Sequence, residues 1–140
     1  MQRTVLANGT FDILHPGHIH YLRESAAHGD RLVVVIARDS RASAKKDSRA
    51  KERKEQLCMG EEARKTVVDA LEIVDEAILG SEESIFDTVA SVEPDIITLG
   101  YDQDFDEDRL GRELRSRGFT ADVVRIGKGG DFSSSDMKQC

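Results

Sequence analysis

The chain has 140 residues, a formal net charge of −7 and 39% apolar residues. That length suits a single domain, residues 1–140, with one good core, and no apolar run approaches membrane-spanning length. The acidic balance argues against a general nucleic-acid binder, which needs a basic surface.

The start lacks a basic segment followed by an apolar one, so no secretory signal is expected. The expectation is a cytoplasmic protein without a nucleic-acid or membrane partner. Cys58 and Cys140 have no metal-site spacing. Reduced thiols are the default reading, with a disulfide between them the alternative.

Residues 3–8 read as a short buried strand. The loop Asn8-Gly9-Thr10-Phe11-Asp12-Ile13-Leu14-His15-Pro16-Gly17-His18 follows it. A helix is predicted over 16–28, with Ile19, Leu22 and Ala26 on one face and Gly29 in a left-handed cap position. Pro16 suits the first helical position, where its missing N–H would be an orphan anyway. Leu32-Val33-Val34-Val35-Ile36-Ala37 is continuous and β-branched, as in a parallel strand buried on both faces. Strand, helix and strand form a βαβ unit.

Residues 38–54 break the pattern, with eight basic side chains against three acidic ones, a net +5. The plainer reading is a solvated loop. The functional one is a basic flap over phosphates, since the segment follows a strand's carboxyl end. Residues 60–71 predict an amphipathic helix with Ala63, Val67, Ala70 and Leu71 on its apolar face; Arg64 reads by spacing as a surface residue.

Residues 73–79 predict a third strand and 84–92 a helix, with Ile85, Val89 and Val92 aligned and Glu93-Pro94 ending it. Residues 95–100 predict a fourth strand, followed by the polar Tyr101-Asp102-Gln103. By itself Asp102 reads as a turn cap. A charged helix over 106–117, ended by Gly118, and a strand over 123–126 complete the alternation. Ser133, Ser134 and Ser135 before Asp136-Met137-Lys138 read either as a helix N-cap or as a phosphate site. The fold class is therefore α/β: a single Rossmann-like doubly wound domain, a five-stranded parallel sheet with helices on both faces.

The first loop carries the chemistry. It joins a strand end to a helix N-terminus, where free N–H groups and the dipole favour an anion. Gly17 lets a ligand approach the backbone. His15 and His18, three apart, can point to one spot. A turn, or a pair of exposed helix-start residues, is the plainer reading of the same letters. A two-histidine metal site is another, but no further ligands stand at suitable spacing.

Gly9-Thr10-Phe11-Asp12 followed by His15-Pro16-Gly17-His18 resembles the signature of the cytidylyltransferase-like nucleotidyltransferases. The resemblance runs through the helix containing Arg64, the cluster at Asp102 and the C-terminal serines. The loop, together with Ala37-Arg38-Asp39, Ala77-Ile78-Leu79-Gly80 and the triple serine, is most similar to archaeal FAD synthases. That resemblance implies transfer of AMP from ATP to FMN, giving FAD and pyrophosphate. It implies His15 and His18 as catalytic groups. It implies ATP contacts from Gly9, Thr10, Phe11, His15, Pro16, Gly17, His18, Asp102, Ser133 and Ser134. Phosphate contacts would come from Lys45, Lys46 or another lysine of that segment, and from Arg64. It also implies a divalent ion (Mg²⁺, or else Mn²⁺ or Co²⁺) not held by protein side chains, and a homodimer. The alternatives are a CTP-dependent cytidylyltransferase acting on glycerol 3-phosphate or a related alcohol, whose Arg-Thr segment is missing here, and a nucleotide-binding module without catalysis.

Overall fold

The computed structural model describes residues 2–40, 59–101, 103 and 106–127. Five strands form one sheet: β1 (Thr4–Gly9), β2 (Arg31–Ile36), β3 (Glu76–Leu79), β4 (Ile96–Leu99) and β5 (Asp122–Arg125). The order is β3-β2-β1-β4-β5, and every pairing is parallel. Helices α1 (Pro16–Ala26), α2 (Glu61–Asp69), α3 (Ile85–Val92) and α4 (Glu107–Ser116) fill the crossovers.

Alternation along the strands sorts side chains onto two faces. Val5, Ala7, Leu32, Val34 and Ile36 join Tyr21 and Leu22 of α1 and Val68 of α2 in one core. Leu6, Val33, Val35, Ile97 and Leu99 join Val89 of α3 and Leu110 and Leu114 of α4 in the other. This is the doubly wound arrangement expected from the sequence. The apolar run of β2 is continuous because both of its faces are covered.

Three local expectations are corrected. Gly29 is not left-handed; among the described residues Phe11, Glu93 and Gly118 are. A Cβ at Gly29 would lie 2.7 Å from Arg3 O and from a Val5 methyl, so close packing, not φ, calls for glycine. β3 begins at Glu76 rather than Ile73. On α2 the inward residues are Arg64 and Val68, while Ala63, Val67 and Ala70 are exposed. The helix is turned one residue, about 100°, from the face that its apolar letters suggest.

The chain crosses β1 after β3, so the crossovers from β1 and from β4 diverge on opposite faces of the sheet. That is the switch point at which open α/β sheets bind ligands, beyond the strands' carboxyl ends. The β1–β4 ladder runs only from Val5↔Ile96 to Ala7↔Thr98. Beyond it, the Tyr21 hydroxyl accepts from Asn8 N at 3.1 Å and donates to Thr98 O at 2.8 Å. One hydroxyl from α1 thus stands between the two strands and satisfies both. Thr98 Oγ1 and Ser25 Oγ extend the buried network at 2.8 Å. Burial pushes the Tyr21 phenol up to about 12, against hydrogen bonds from Thr98, Asn8 and Ser25 that lower it.

Candidate active site

The candidate site lies at the carboxyl ends of β1 and β4, where Gln103 meets Asn8 beside the β1–α1 loop. His15 is the N-cap of α1, with Pro16 at the first helical position. Its Nδ1 accepts from Gly17 N at 3.1 Å, and His18 Nδ1 accepts from His15 N at 3.3 Å. This is a reciprocal capping box in which both partners are imidazoles. An Nδ1 that accepts carries no proton, so each neutral ring carries its proton on Nε2. The rings stack with centroids 3.9 Å apart. Two fixed donors thus stand at a helix N-terminus, where the dipole favours anions.

His18 is held neutral. Its pKa is lowered from the ordinary 6.5 to about 4, by burial first and by the neighbouring His15 second, against a hydrogen bond to the Ile13 backbone that raises it. Between pH 6.5 and 4 the unfolded chain takes up this proton and the folded one does not. The group's contribution to stability is therefore present above about pH 6.5 and is lost as pH falls towards 4. In an NMR titration the His18 resonances should move with a midpoint near pH 4, and tripolyphosphate should shift that midpoint upward. A midpoint of 6.5 in the free protein would show that the ring is not buried in the capping box.

The loop backbone is held in an unusual shape. Phe11 sits at φ 54, a left-handed conformation that costs a non-glycine residue about 1–3 kcal/mol. Its buried ring meets His18 edge-on at 5.4 Å and stacks on Tyr21 at 6.5 Å. The ring also lies over Gly9, where an added Cβ would come within 2.9 Å of it. Gly9→Ala should therefore displace Phe11, and His18 with it, lowering nucleotide affinity by about tenfold or more as read by calorimetry. Unchanged affinity would mean that the ring yields without moving His18.

Arg64 corrects the expectation of a surface residue. Its side chain is 0% exposed. Nε donates to Met59 O at 3.1 Å, Nη1 to Thr10 O and Ala37 O at 2.8 Å each, and Nη2 to Asp39 Oδ1 at 2.6 Å. Four of its five donors are thus spent inside the protein. It ties the histidine loop to the end of β2 and the start of α2, and positions the loop from below. Asp12 helps, as its Oδ1 accepts from Met59 N at 2.9 Å. Arg38 closes the same side by donating to Glu61 Oε2 at 2.9 Å and to Gly80 O at 2.8 Å.

On the other side of the site the sequence reading named Asp102 and passed over its neighbour. Gln103 Nε2 donates to Asn8 O and Oδ1, both at 3.0 Å, and its Oε1 accepts from Gly100 N at 2.7 Å. This residue bridges the ends of β1 and β4. Arg125, at the end of β5, donates to Gly100 O and Gln103 O at 2.6 and 2.9 Å and braces the turn. The polar cluster after the fourth strand was the available signal for Gln103. Nothing local pointed to Asn8 or Tyr21.

The structure thus gathers Gly9, Thr10, Phe11, His15, Pro16, Gly17 and His18 in one loop, with Arg64 beneath it. Lys45, Lys46, Cys58, Asp102, Ser133, Ser134 and Cys140 lie outside the described residues. Among the described residues no three His, Cys, Asp or Glu side chains converge as metal ligands, and no helix is long and apolar enough to cross a membrane. A groove of about 530 Å³ leaves His15 along α1, lined by Leu14, Pro16, Ile19, His20 and Arg23.

A family model for cytidylyltransferase-like proteins matches residues 6–139. The chain belongs to the cytidylyltransferase-like family. The match begins inside β1 and includes the histidine loop. Among curated relatives, an FAD synthase of Ferroglobus placidus is 50% identical over 124 residues, covering 89% of this chain and 76% of that one. An FAD synthase of Picrophilus torridus is 49% identical over 137 residues, covering 96% and 93%. A crystal structure from Thermoplasma volcanium, described as a lipopolysaccharide core biosynthesis protein, superposes with a TM-score of 0.83 at 46% identity, covering 93% of this chain and all of that one.

Proposed function

We propose that this protein is an FAD synthase, transferring AMP from ATP to FMN with release of pyrophosphate. The observation that carries the reading is identity near one half, over most of the chain, to FAD synthases. An oxygen of the FMN phosphate attacks the α-phosphorus of ATP in line. A new P–O bond forms, the bond from the α-phosphorus to the α–β bridging oxygen breaks, and pyrophosphate leaves with the electron pair. No protein nucleophile takes part. His15 donates through Nε2 to phosphate oxygens, His18 does so by exchanging its bond to the Ile13 backbone for one to phosphate, and the helix N-terminus adds its dipole. Positioning and charge stabilisation supply the rate, as in other transfers of phosphorus.

A divalent ion would be carried by the triphosphate rather than by protein side chains, and would supply charge neutralisation there. Mg²⁺ is proposed, with Mn²⁺ and Co²⁺ as alternatives. The groove along α1 is the place for the flavin: its apolar wall suits a ring system, and its volume suits a small-molecule site. Lys45, Lys46, Asp102, Ser133 and Ser134 keep their proposed phosphate and nucleotide roles, as does a homodimer, which sedimentation would test.

The test is pyrophosphate release in a matrix of ATP or CTP with FMN, glycerol 3-phosphate, phosphopantetheine or a phosphosugar, with Mg²⁺, Mn²⁺, Co²⁺ or EDTA. The expected result is release with ATP and FMN alone, FAD on chromatography, and no release in EDTA. Release only with CTP and a phosphorylated alcohol would overturn the acceptor and keep the chemistry. Nucleotide binding without release under any condition would favour a binding module.

A further inference from the structure

The site holds one polar group that the reaction described above does not use. Gln103 Oε1 accepts from Gly100 N at 2.7 Å, so the orientation of the Gln103 amide is fixed. Its Nε2 must then face Asn8, and it donates to Asn8 O and Asn8 Oδ1 at 3.0 Å. That fixes the Asn8 amide in turn. Its oxygen faces Gln103, and its nitrogen must point away.

Asn8 Nδ2 is buried and meets no hydrogen-bond acceptor among the described residues. Exchanging the two ends of the Asn8 amide does not help, because it would set two NH₂ groups face to face. Exchanging those of Gln103 would break the bond from Gly100 N. A buried donor left unpaired costs about 1–3 kcal/mol. Native proteins leave few such groups, and each calls for a reason.

The pleat places this donor. Leu6 belongs to the core under α3 and α4, whereas Val5 and Ala7 belong to the core under α1 and α2. Asn8, two residues after Leu6, shares its face. His15 and His18 stand at the N-terminus of α1, on the other face. The amide nitrogen therefore lies across the switch point from the imidazoles, beside the β4–α4 loop that supplies Gln103.

We propose that Asn8 Nδ2 donates a hydrogen bond to the nucleoside half of the nucleotide substrate, at a ring nitrogen or a sugar oxygen. The inference rests on the functional reading above for the nature of that substrate. The imidazoles and the helix dipole collect the phosphates on the α1 side, so what reaches the far side is base and sugar. A neutral donor held rigid by its neighbours selects an uncharged acceptor by position. Asn8 is then a specificity-determining residue, and Gln103 is a positioning residue that keeps the nitrogen turned towards the substrate.

Calorimetry with α,β-methylene-ATP and Mg²⁺, without FMN, tests this directly. Asn8→Asp keeps the acceptor for Gln103 and removes the donor, while Asn8→Ala removes both. Gln103→Glu keeps the acceptor for Gly100 N and turns the Asn8 amide end for end. Each should weaken the nucleotide about tenfold or more, whereas tripolyphosphate should bind to Asn8→Ala and Gln103→Glu as to the unaltered protein. In the unaltered protein one of the 3-deaza, 7-deaza or 2′-deoxy analogues of ATP should bind about tenfold more weakly than ATP, and Asn8→Ala should erase that difference. This arm needs no change to the fold. Equal binding of all the analogues overturns the proposal, as does an equal loss of tripolyphosphate affinity in Asn8→Ala. Nucleotide binding with no FAD formed would sink the acceptor reading and leave this inference standing. A protein that binds no nucleotide at all would sink both.

Discussion

His18→Ala should lower turnover by more than about a hundredfold in a domain that stays folded. One preorganised donor to developing charge is worth about a factor of 10² to 10³ in such sites. Losing the His18 side chain also opens one half of the capping box, since His15 N loses its acceptor. A cap contributes about 0.5–2 kcal/mol, and a domain of this kind has about 5–15 kcal/mol to lose. Unfolding therefore cannot produce a hundredfold effect, and a thermal melt of the same sample separates the two. Because the ring is neutral down to about pH 4, its titration should leave turnover flat between pH 6 and 8. A folded His18→Ala protein with ordinary turnover would remove His18 from the mechanism.

The fold was legible where the residues speak for one environment only. The β-branched run of β2 has no comfortable place except between two layers, and it lies there. The loop from Gly9 to His18 was legible because glycine, proline and paired histidines at a strand-to-helix junction have few other uses together. Arg64 was not legible, because helical periodicity counts it as polar and turns the helix outward at that position. What turns it inward is a set of carbonyls at Met59, Thr10 and Ala37. Those belong to three segments, the most distant of them 54 residues away. Tyr21 failed to announce itself for the same reason. On its helix it reads as one more core aromatic, and its role exists only because a strand 77 residues later parts from β1 beside it.

The second large effect concerns that buried arginine. Arg64→Ala should destabilise the domain by about 3 kcal/mol or more, since three carbonyls lose their donors at about 1 kcal/mol or more each. Asp39 is half exposed and can turn to water, so little of the loss is its own. Most comes from Thr10 O, Ala37 O and Met59 O, which lose their donors where water has poor access. Arg64→Lys separates charge from geometry. An ammonium restores the positive charge but cannot span carbonyls on three sides of a planar fork. If geometry governs, the lysine protein should recover less than half of the lost stability in urea unfolding, and its nucleotide affinity should stay low because the Thr10 carbonyl is no longer held. Full recovery by lysine would mean that Arg64 acts through charge alone. A stable Arg64→Ala protein with weakened nucleotide binding would return the residue to the role of a direct phosphate contact, since a group that only braces the loop cannot be removed without loosening it.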